Sequence, residues 1–294
     1  MTPARMRARF VDLDGPVHYA DFGGEGPAIV LVHGLGGSHL NWLAVAPRLA
    51  AHGRVVAVDL HGHGRTPSLG RTARISANLH MLARFLDVVA AGPAVLMGNS
   101  MGGYVALATA AAEPGKVKAV VLVNPALPLA RHARVDRRFF AAFAAFAVPG
   151  VGEVILRARW LRGPERMVRD LLALCCVDPA RIEREVVDAH VALAVERSRL
   201  GRTARRDFLA AQRSLMTRLL RRRRFFDMVA AVRPPVLVVQ GDRDRLVQIA
   251  AARALAAARP DWRLEVLEGV GHVPQLETPD RFLAVVEPWL GTHA

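Results

Sequence analysis

Residues 94–113 read AVLMGNSMGGYVALATAAAE, and this stretch places a serine between a predicted strand and a predicted helix. The apolar run at 94–97 is typical of a strand buried on both faces, and a helical pattern begins just after the serine. Between the two stands a G-x-S-x-G pattern centred on Ser100. A serine on so sharp a turn takes a strained backbone conformation that exposes its hydroxyl, and side chains two residues away would clash. The pattern therefore predicts a nucleophilic Ser100, with Gly98 and Gly102 leaving room for the turn.

The segments around this stretch repeat the alternation of strand and helix. Strands are predicted at 8–13, 17–22, 28–32, 54–59, 94–97, 117–123, 236–239 and 263–267. Helices are predicted at 42–51, 75–91, 101–113, 249–258 and from Pro279 onward. The first two strands form a predicted hairpin around the turn Asp14-Gly15-Pro16. Strands and helices in alternation imply a parallel sheet wound by right-handed crossovers.

Residues 129–231 differ from the rest, because they show helical periodicity and no convincing strand. Pro164 and Pro179 stand where helices are expected to start. The predicted fold class is α/β, with a mostly parallel eight-stranded sheet flanked by helices and a helical insertion after the sixth strand. We expect residues 1–128 and 232–294 to form the core, and residues 129–231 to form a helical cap.

A serine nucleophile needs a base and a carboxylate that orients the base, and both residue types follow predicted strands. His272 ends the loop GVGH at 269–272, after the last strand. Two aspartates occur in the string QGDRD at 240–244, after the seventh strand. Sites in parallel α/β sheets form at the carboxyl ends of strands, so we expect these residues to meet Ser100 there. Their order along the chain is Ser, Asp, His.

Together these motifs resemble those of the α/β-hydrolase-fold superfamily in its capped form, and the likeness covers nearly the whole chain. The string HGLGG at 33–37 is similar to the oxyanion loop of that family, and DLHGHGRT at 59–66 to its turn after the fourth strand. The string GH at 271–272, followed by ETP at 277–279, resembles its catalytic-histidine loop.

The resemblance implies a Ser–Asp–His triad that works without a cofactor. In the G-x-x-D-x-x-V pattern of the family the acid is the last aspartate, here Asp244, and we expect Asp242 to stabilise the loop. The backbone N–H groups of Met101 and Leu35 are expected to hold the developing oxyanion, with Gly36 as the other candidate for the second donor.

Asn124 stands after the sixth strand, where some relatives carry the triad acid. An amide cannot stabilise an imidazolium as a carboxylate does, so the acid is expected after the seventh strand instead. His33 is expected to brace the oxyanion loop. In similar epoxide hydrolases and haloalkane dehalogenases the elbow carries an aspartate, whereas a serine predicts acyl chemistry.

We therefore expect a serine hydrolase of the esterase or lipase type, acting on a small or medium apolar ester. A carbon–carbon bond hydrolase of dienoic ring-cleavage products stays open, because the string at 98–103 resembles that group. Val273 stands where those enzymes tend to carry a tryptophan, and Gly36-Gly37 lacks their proline. A cofactor-free perhydrolase and a non-catalytic ligand receptor on the same fold are further alternatives.

Charge is concentrated in the insertion. The 294 residues carry a net charge of +14, and residues 129–231 hold 22 arginines against 11 acidic residues. With little aromatic interleaving and no recognisable nucleic-acid module, nucleic-acid binding is not expected. The alternative partners are an anionic substrate or an anionic membrane surface, although residues 221–224, four arginines, are interpreted first as a solvated helix face.

Three phenylalanines of the insertion, Phe139, Phe143 and Phe146, recur at the i, i+4, i+7 spacing of one helix face. We expect them to pack in the core of the insertion, with one or two rings lining the acyl pocket. The pocket is expected to take a small-molecule substrate, and the oligomeric state is not predicted.

The apolar runs, the cysteines and the histidines of the sequence argue against a membrane-spanning, a disulfide-rich and a metal-binding protein. No apolar run reaches 18 residues and no secretory leader is recognised, which predicts a cytoplasmic protein. Cys175 and Cys176 are adjacent, so we expect small buried hydrophobes and no disulfide framework. His61 and His63 lack a third ligand at suitable spacing, so no metal is expected.

Overall fold

Eight strands form one sheet in the computed structural model, which describes residues 6–130 and 144–294. The strands are β1 (Arg7–Asp12), β2 (Pro16–Gly23), β3 (Ala28–Val32), β4 (Arg54–Val58), β5 (Ala94–Asn99), β6 (Val117–Val123), β7 (Val236–Gly241) and β8 (Arg263–Leu267). They lie in the order β1-β2-β4-β3-β5-β6-β7-β8. Strand β2 pairs antiparallel with β1 and β4, and the other pairs are parallel. The predicted α/β fold with a mostly parallel eight-stranded sheet is confirmed.

Helices flank this sheet and make up most of the described part of the long connection between β6 and β7. The α-helices of the described residues are α1 (Ala46–Leu49), α2 (Ile75–Phe85), α3 (Met101–Ala112), α4 (Val151–Leu161), α5 (Pro164–Cys175), α6 (Arg184–Ser198), α7 (Arg202–Leu220), α8 (Arg222–Ala231), α9 (Ile249–Ala258), α10 (Pro274–Glu277) and α11 (Pro279–His293). None of these is long and apolar enough to cross a lipid bilayer.

Alternate residues of the central strands enter two separate cores, because successive side chains of a strand point to opposite faces. On one face Val30 packs in a cluster with Phe85 of α2. On the other face Leu31 packs in a cluster with Phe282 of α11. All four side chains are fully buried, and each such burial contributes about 1.5–3 kcal/mol. The continuous apolar runs of the sequence are therefore explained by a sheet covered on both faces.

The parallel register brings the carboxyl ends of neighbouring strands to one edge of the sheet. Val32 at the end of β3 lies opposite Gly98 of β5, and Asn99 lies opposite Val123 at the end of β6. Gly241 at the end of β7 lies opposite Leu267 at the end of β8. The loops that follow these strands consequently converge, as expected for an α/β site.

Two predicted helices differ from those observed. The helix predicted at 42–51 is wrong, because the chain forms a 3₁₀ turn at His39–Trp42 and only a short α1. Pro47 lacks an N–H, so an α-helix is tolerated only where this residue falls in its first turn. The helix predicted at 75–91 is α-helical only to Phe85 and continues as a π-helical turn at Leu86–Ala90.

The helices α4 to α8, which we call the insertion helices, contact loops at the carboxyl ends of the strands. Arg197 of α6 donates to the carbonyls of Gly62 and Gly64 after β4, at 2.6 Å each. The carbonyl of Cys175 in α5 accepts the N–H of His272 after β8, at 2.6 Å. Helix α5 begins at Pro164 as predicted, whereas Pro179 begins a 3₁₀ turn, Pro179–Arg181.

Candidate active site

Ser100 lies between β5 and α3 in a backbone conformation that L-residues rarely adopt, with φ 54° and ψ −118°. Its N–H donates to the carbonyl of Val123 at 3.1 Å, which fixes the turn against β6. A Cβ on Gly98 would lie 2.3 Å from the carbonyl oxygen of Gly102, and a Cβ on Gly102 would lie 2.2 Å from that of Val32. Both distances are too short for any side chain, so the two glycines are required by the close approach of the backbone.

The loop after β3 lies directly against Ser100. A Cβ on Gly34 would lie 3.1 Å from that of Ser100. Gly37 donates to the carbonyl of Gly34 at 3.0 Å, and Gly36 has a φ of 74°, so residues 34–37 form a turn that needs a left-handed residue at its third position. The turn leaves the N–H groups of Leu35 and Gly36 without an acceptor among the described residues.

Met101 supplies a third N–H beside Ser100. It is the first residue of α3, and a first helical residue has no acceptor within its own helix. The positive end of the helix dipole lies at the same point and favours negative charge there. Three N–H groups that have no acceptor among the described residues, those of Leu35, Gly36 and Met101, therefore flank the serine.

His33 holds the loop after β3 in place. The N–H of Leu60 donates to Nε2 of His33 at 3.0 Å, so Nδ1 carries the proton and donates to the carbonyl of Gly34 at 2.7 Å. Burial is the main cause that lowers the pKa of His33 to about 4, which keeps the ring neutral near pH 7. A neutral ring can act as donor and acceptor at once, as this position requires.

His272 and Asp244 form a buried pair, with 2.7 Å between Nδ1 of the histidine and Oδ2 of the aspartate. Burial alone would raise the pKa of Asp244, but the charge and hydrogen bond of His272, together with further donors, hold it below its ordinary value. Asp244 is therefore ionised at neutral pH, and Nδ1 of His272 donates to it. This tautomer leaves Nε2 of His272 as a proton acceptor.

Further donors surround the Asp244 carboxylate. Asn124 donates from Nδ2 to Oδ2 at 2.7 Å, and the backbone N–H groups of Leu246 and Val247 donate to Oδ1 at 2.7 and 3.0 Å. The sequence pointed to Asn124 only as a residue that cannot be the acid, and its role as a donor was missed. A polar residue at the end of the strand beside β7 was the available signal.

Asp242 lies elsewhere in the same loop. Its Oδ1 accepts the N–H of Gly269 at 2.7 Å, and its Oδ2 lies 3.8 Å from Nε of Arg243. The structure therefore brings Asp244 to His272, while Asp242 ties its own loop to the one after β8.

Ser100 and His272 are connected through the residue between Gly98 and the serine. Asn99 donates from Nδ2 to the carbonyls of Val123 and His272, at 3.0 and 3.1 Å. In the described part of the chain, no hydrogen bond joins the hydroxyl of Ser100 to the ring of His272. Such bonds are often long before substrate binds and tighten in the reacting complex.

Glu277 fastens the histidine loop to the insertion, and we call its contacts the Glu277 clasp. Its side chain is buried, with Oε2 accepting the N–H of Gly271 at 2.8 Å and Oε1 accepting those of Val177 and Asp178 at 2.9 and 3.0 Å. The sequence marked this residue only as part of a family motif. Its partners in the insertion, Val177 and Asp178, lie about a hundred positions away in the chain, so spacing alone could not reveal them.

Of the three phenylalanines predicted for a pocket, Phe139 and Phe143 lie outside the described residues. Phe146 is buried in a small cluster with Leu156 and Leu209. Its ring packs edge to face on Phe208, with 6.2 Å between centroids. Phe208 of α7 reaches the loop after β3, since a Cβ on Gly36 would lie 3.2 Å from its ring. Phe208 was missed, because it belongs to no apolar stripe that the sequence pattern singled out.

One group of potential metal ligands occurs among the described residues, and it does not contain His61 or His63. His18, His39 and Asp59 bring three ligand atoms within 4.8 Å of one another, all of them buried. Nδ1 of His18 and Nδ1 of His39 lie 2.8 and 2.9 Å from Oδ2 of Asp59. The carboxylate also accepts the N–H groups of His39 and Arg65, so a metal ion would have to displace existing hydrogen bonds.

Known proteins resemble this chain in sequence and in fold. The chain matches the sequence model of the Alpha/beta hydrolase family over residues 29–285. It is 26% identical over 296 residues to 2-hydroxy-6-oxononadienedioate/2-hydroxy-6-oxononatrienedioate hydrolase 1 of Dechloromonas aromatica, covering 98% of this chain and 94% of that protein. It is 31% identical over 286 residues to the dihydrolipoyllysine-residue acetyltransferase component of the acetoin cleaving system of Cupriavidus necator, covering 96% and 69%. A thermophilic esterase from Thermogutta terrifontis has the same fold, with a TM-score of 0.70, 24% identity and coverage of 99% and 100%.

Proposed function

The chain belongs to the alpha/beta hydrolase family, and on this premise we propose that it is a serine hydrolase that cleaves a small or medium apolar carboxylic ester. Ser100 is the nucleophile, His272 the general base and acid, and Asp244 the residue that orients the histidine. The observation that carries the proposal is the buried 2.7 Å contact between His272 Nδ1 and Asp244 Oδ2, which fixes the histidine tautomer.

The reaction begins with attack of Ser100 Oγ on the ester carbonyl. The hydroxyl proton passes to Nε2 of His272, and the imidazolium that forms is stabilised by the ionised carboxylate of Asp244. Negative charge develops on the carbonyl oxygen and is held by the N–H of Met101 and that of Leu35 or Gly36. Losing one such donor typically costs about 3 kcal/mol of transition-state stabilisation.

The tetrahedral intermediate then collapses to an acyl-enzyme. The C–O bond to the alcohol breaks, and the alcohol leaves with the proton from Nε2 of His272. A water molecule attacks the acyl carbonyl, gives its proton to Nε2, and the carboxylic acid is released as Ser100 Oγ recovers that proton. Each step uses only this chain, the ester and water.

The insertion helices act as a cap over this site. Support comes from contacts of three of them with loops beside the reacting residues: Phe208 of α7 near Gly36, Arg197 of α6 on the loop after β4, and Cys175 of α5 on His272. Phe208 and Phe146 form an apolar wall on the side of the oxyanion loop. A wall of this kind selects apolar acyl or alcohol groups by burial of their surface.

The test is turnover of p-nitrophenyl esters of increasing chain length, combined with labelling by a fluorophosphonate probe. Wild-type protein should release p-nitrophenolate and be labelled at Ser100, whereas Ser100→Ala should lose about six orders of magnitude in kcat and all labelling. Ser76→Ala, at an exposed serine of α2, is the matched control and should behave as wild type. Labelling at another serine, or no turnover of any ester, would reject the proposal in favour of a non-catalytic receptor or another bond type.

A carbon–carbon bond hydrolase is the second candidate, because the relative from Dechloromonas aromatica matches along almost the whole chain and is named for a dienedioate substrate. Such substrates absorb as coloured dienolates, and their cleavage bleaches the absorption. Val273, which follows His272, is buried in an apolar cluster with Leu172 and Ile182 and offers no polar contact to a dienolate. Bleaching with a kcat/KM above that of the best p-nitrophenyl ester would establish this second function.

A further inference from the structure

A cavity of about 1390 Å³ lies between the insertion helices and the N-terminal parts of α2 and α3, and arginine side chains dominate its lining. Among the described residues, nine arginines line it together with one carboxylate, that of Glu153. Ser100, Asp244 and His272 are not among the lining residues. The cavity is therefore a feature separate from the proposed hydrolytic site.

Helix α7 contributes five of these arginines, four of them from one face. Arg202, Arg205 and Arg206 lie in its first two turns and Arg213 follows two turns after Arg206 on the same face, whereas Arg218 starts from another side of the helix. The remaining four come from other parts of the chain: the residue before α2, helix α4, the junction of α7 with α8, and α8 itself. Guanidinium groups therefore approach the same space from several directions.

Carboxylates of the described residues neutralise little of this charge. Arg213 makes a bidentate ion pair with Glu153, at 2.9 Å to each oxygen, and Arg206 lies 3.4 Å from Asp207. Among the described residues, the other seven arginines of the lining have no carboxylate partner within ion-pair distance. Arg221 and Arg224 are both solvent exposed, so their charges are available to a ligand.

We propose that this cavity binds the clustered phosphate groups of a polyanionic ligand. A guanidinium presents paired N–H donors that match two oxygens of a phosphate, and several of them around one space match a diphosphate better than a carboxylate. A ligand with a single negative charge would leave most of the surrounding positive charge uncompensated. The phosphates belong either to a soluble phosphorylated compound or to the headgroup of a phospholipid.

Calorimetric titration of the full chain with inorganic pyrophosphate tests the proposal. Pyrophosphate should bind at low ionic strength, and its affinity should fall by about tenfold or more between roughly 50 mM and 200 mM salt, because the contacts are charge–charge contacts at partly exposed groups. Acetate at the same concentrations should give no measurable binding. Absence of pyrophosphate binding at low salt would overturn the proposal.

Two double variants distinguish specific binding in the cavity from attraction to the net charge of the protein. Arg221→Gln combined with Arg224→Gln removes two charges from the lining and should weaken pyrophosphate binding by about tenfold or more. Arg199→Gln combined with Arg253→Gln removes two charges from exposed arginines outside the lining and should change it by less than about twofold. Equal weakening by both pairs would mean attraction to the overall charge, which contradicts a specific cavity. Unchanged circular dichroism confirms that each variant is folded.

Co-sedimentation with vesicles distinguishes the two sources of phosphate. Vesicles of phosphatidylcholine with phosphatidylglycerol or with a phosphoinositide are compared with vesicles of phosphatidylcholine alone. Binding to anionic vesicles that pyrophosphate competes away, and that the Arg221→Gln/Arg224→Gln pair loses, assigns the cavity to lipid headgroups. Pyrophosphate binding without vesicle binding assigns it to a soluble phosphorylated compound. Vesicle binding that pyrophosphate does not compete would place the contact outside the cavity and contradict the proposal.

Discussion

Asn124 and His272 donate to the same oxygen of Asp244, each at 2.7 Å, one from an amide Nδ2 and the other from an imidazole Nδ1. The residue after β6 therefore takes part directly in the hydrogen bonding of the buried pair, although it is not an acid. An amide at this position stabilises the ionised form of Asp244 without adding a charge of its own.

Replacing this amide by a carboxylate should destabilise the fold by charge repulsion, to an extent that depends on pH. Asn124→Asp places two carboxylates within hydrogen-bond distance, so one of their pKa values rises above the usual value of about 4. The unfolded chain ionises near that value, so the destabilisation is small below it and grows as pH rises through the raised pKa. We expect the Tm deficit against wild type to be greater at about pH 8 than at about pH 5, by roughly 5 °C. Asn124→Ala, which adds no charge, should show a deficit that is nearly independent of pH.

The strained backbone of Ser100 predicts a gain in stability at the expense of activity. A non-glycine residue in this conformation costs about 1–3 kcal/mol, and glycine relieves most of that cost. Ser100→Gly should therefore be inactive but more stable than Ser100→Ala by about 1 kcal/mol, a Tm increase of roughly 2–4 °C. The same comparison at Ser76, in the first turn of helix α2, should have the opposite sign, with Ser76→Gly less stable than Ser76→Ala by up to about 1 kcal/mol. Equal Tm values for Ser100→Gly and Ser100→Ala would show that the turn stores no strain.

The two aspartates after β7 should differ strongly in their effect on turnover. Asp244→Asn replaces the acceptor of the His272 Nδ1 proton and favours the wrong tautomer, at a cost of about 10⁴ in kcat. Asp242→Asn keeps the histidine pair intact and should cost less than about tenfold, with its main effect on Tm, because a neutral amide oxygen accepts the N–H of Gly269 less strongly than a carboxylate does. Steady-state kinetics on one p-nitrophenyl ester measures both. A larger loss for Asp242→Asn would reverse the assignment of the acid.

Buried histidines should make the unfolding free energy fall as pH decreases, already in the range between about pH 6.5 and 4, above the usual pKa of carboxylates. Burial lowers the pKa of His33 and His61 to about 4 each and that of His63 to about 3. Unfolded histidine takes up a proton near 6.5, so stability from each neutral ring is present above that pH and is lost as pH falls toward about 4. The loss is on the order of 3 kcal/mol for His33.

Urea unfolding between these pH values measures the effect. His33→Asn keeps a donor and an acceptor but does not titrate, so its unfolding free energy should fall less steeply with decreasing pH than that of wild type. His52→Asn, at a half-buried position before β4, is the control and should keep the wild-type slope. A wild-type unfolding free energy that stays constant from about pH 6.5 to 4 would contradict the prediction.

The sheet and the serine turn could be predicted because local patterns encode them. Apolar runs of β3, β5 and β7 are continuous since both faces of the sheet are covered, and Gly98 and Gly102 are needed wherever such a turn occurs. The helix predicted at 42–51 is shorter in the structure because Pro47 must lie in the first turn of α1. The apolar periodicity that predicted this helix does not take the proline into account.

The contacts of the supporting residues could not be predicted from spacing, because each residue acts through a partner distant in sequence. Asn124 meets Asp244 across 120 positions, and Glu277 meets Val177 across 100. Phe208 reaches Gly36 only because α7 lies over the loop after β3. Contacts between residues far apart in the chain cannot be inferred from the spacing of residues in one sequence. Turns and apolar runs can be, because they involve neighbouring residues.

The Glu277 clasp limits how freely the insertion can be exchanged with that of a relative. The clasp and the carbonyl of Cys175 position the loop that bears His272, so a transplanted insertion would bring its own acceptor and N–H groups to that loop. A chimera that keeps Ser100, Asp244 and His272 but mismatches residues 175–178 with 271–277 is expected to misplace His272. An exchange of the insertion should therefore keep the position of this histidine only when those two short stretches come from the same parent.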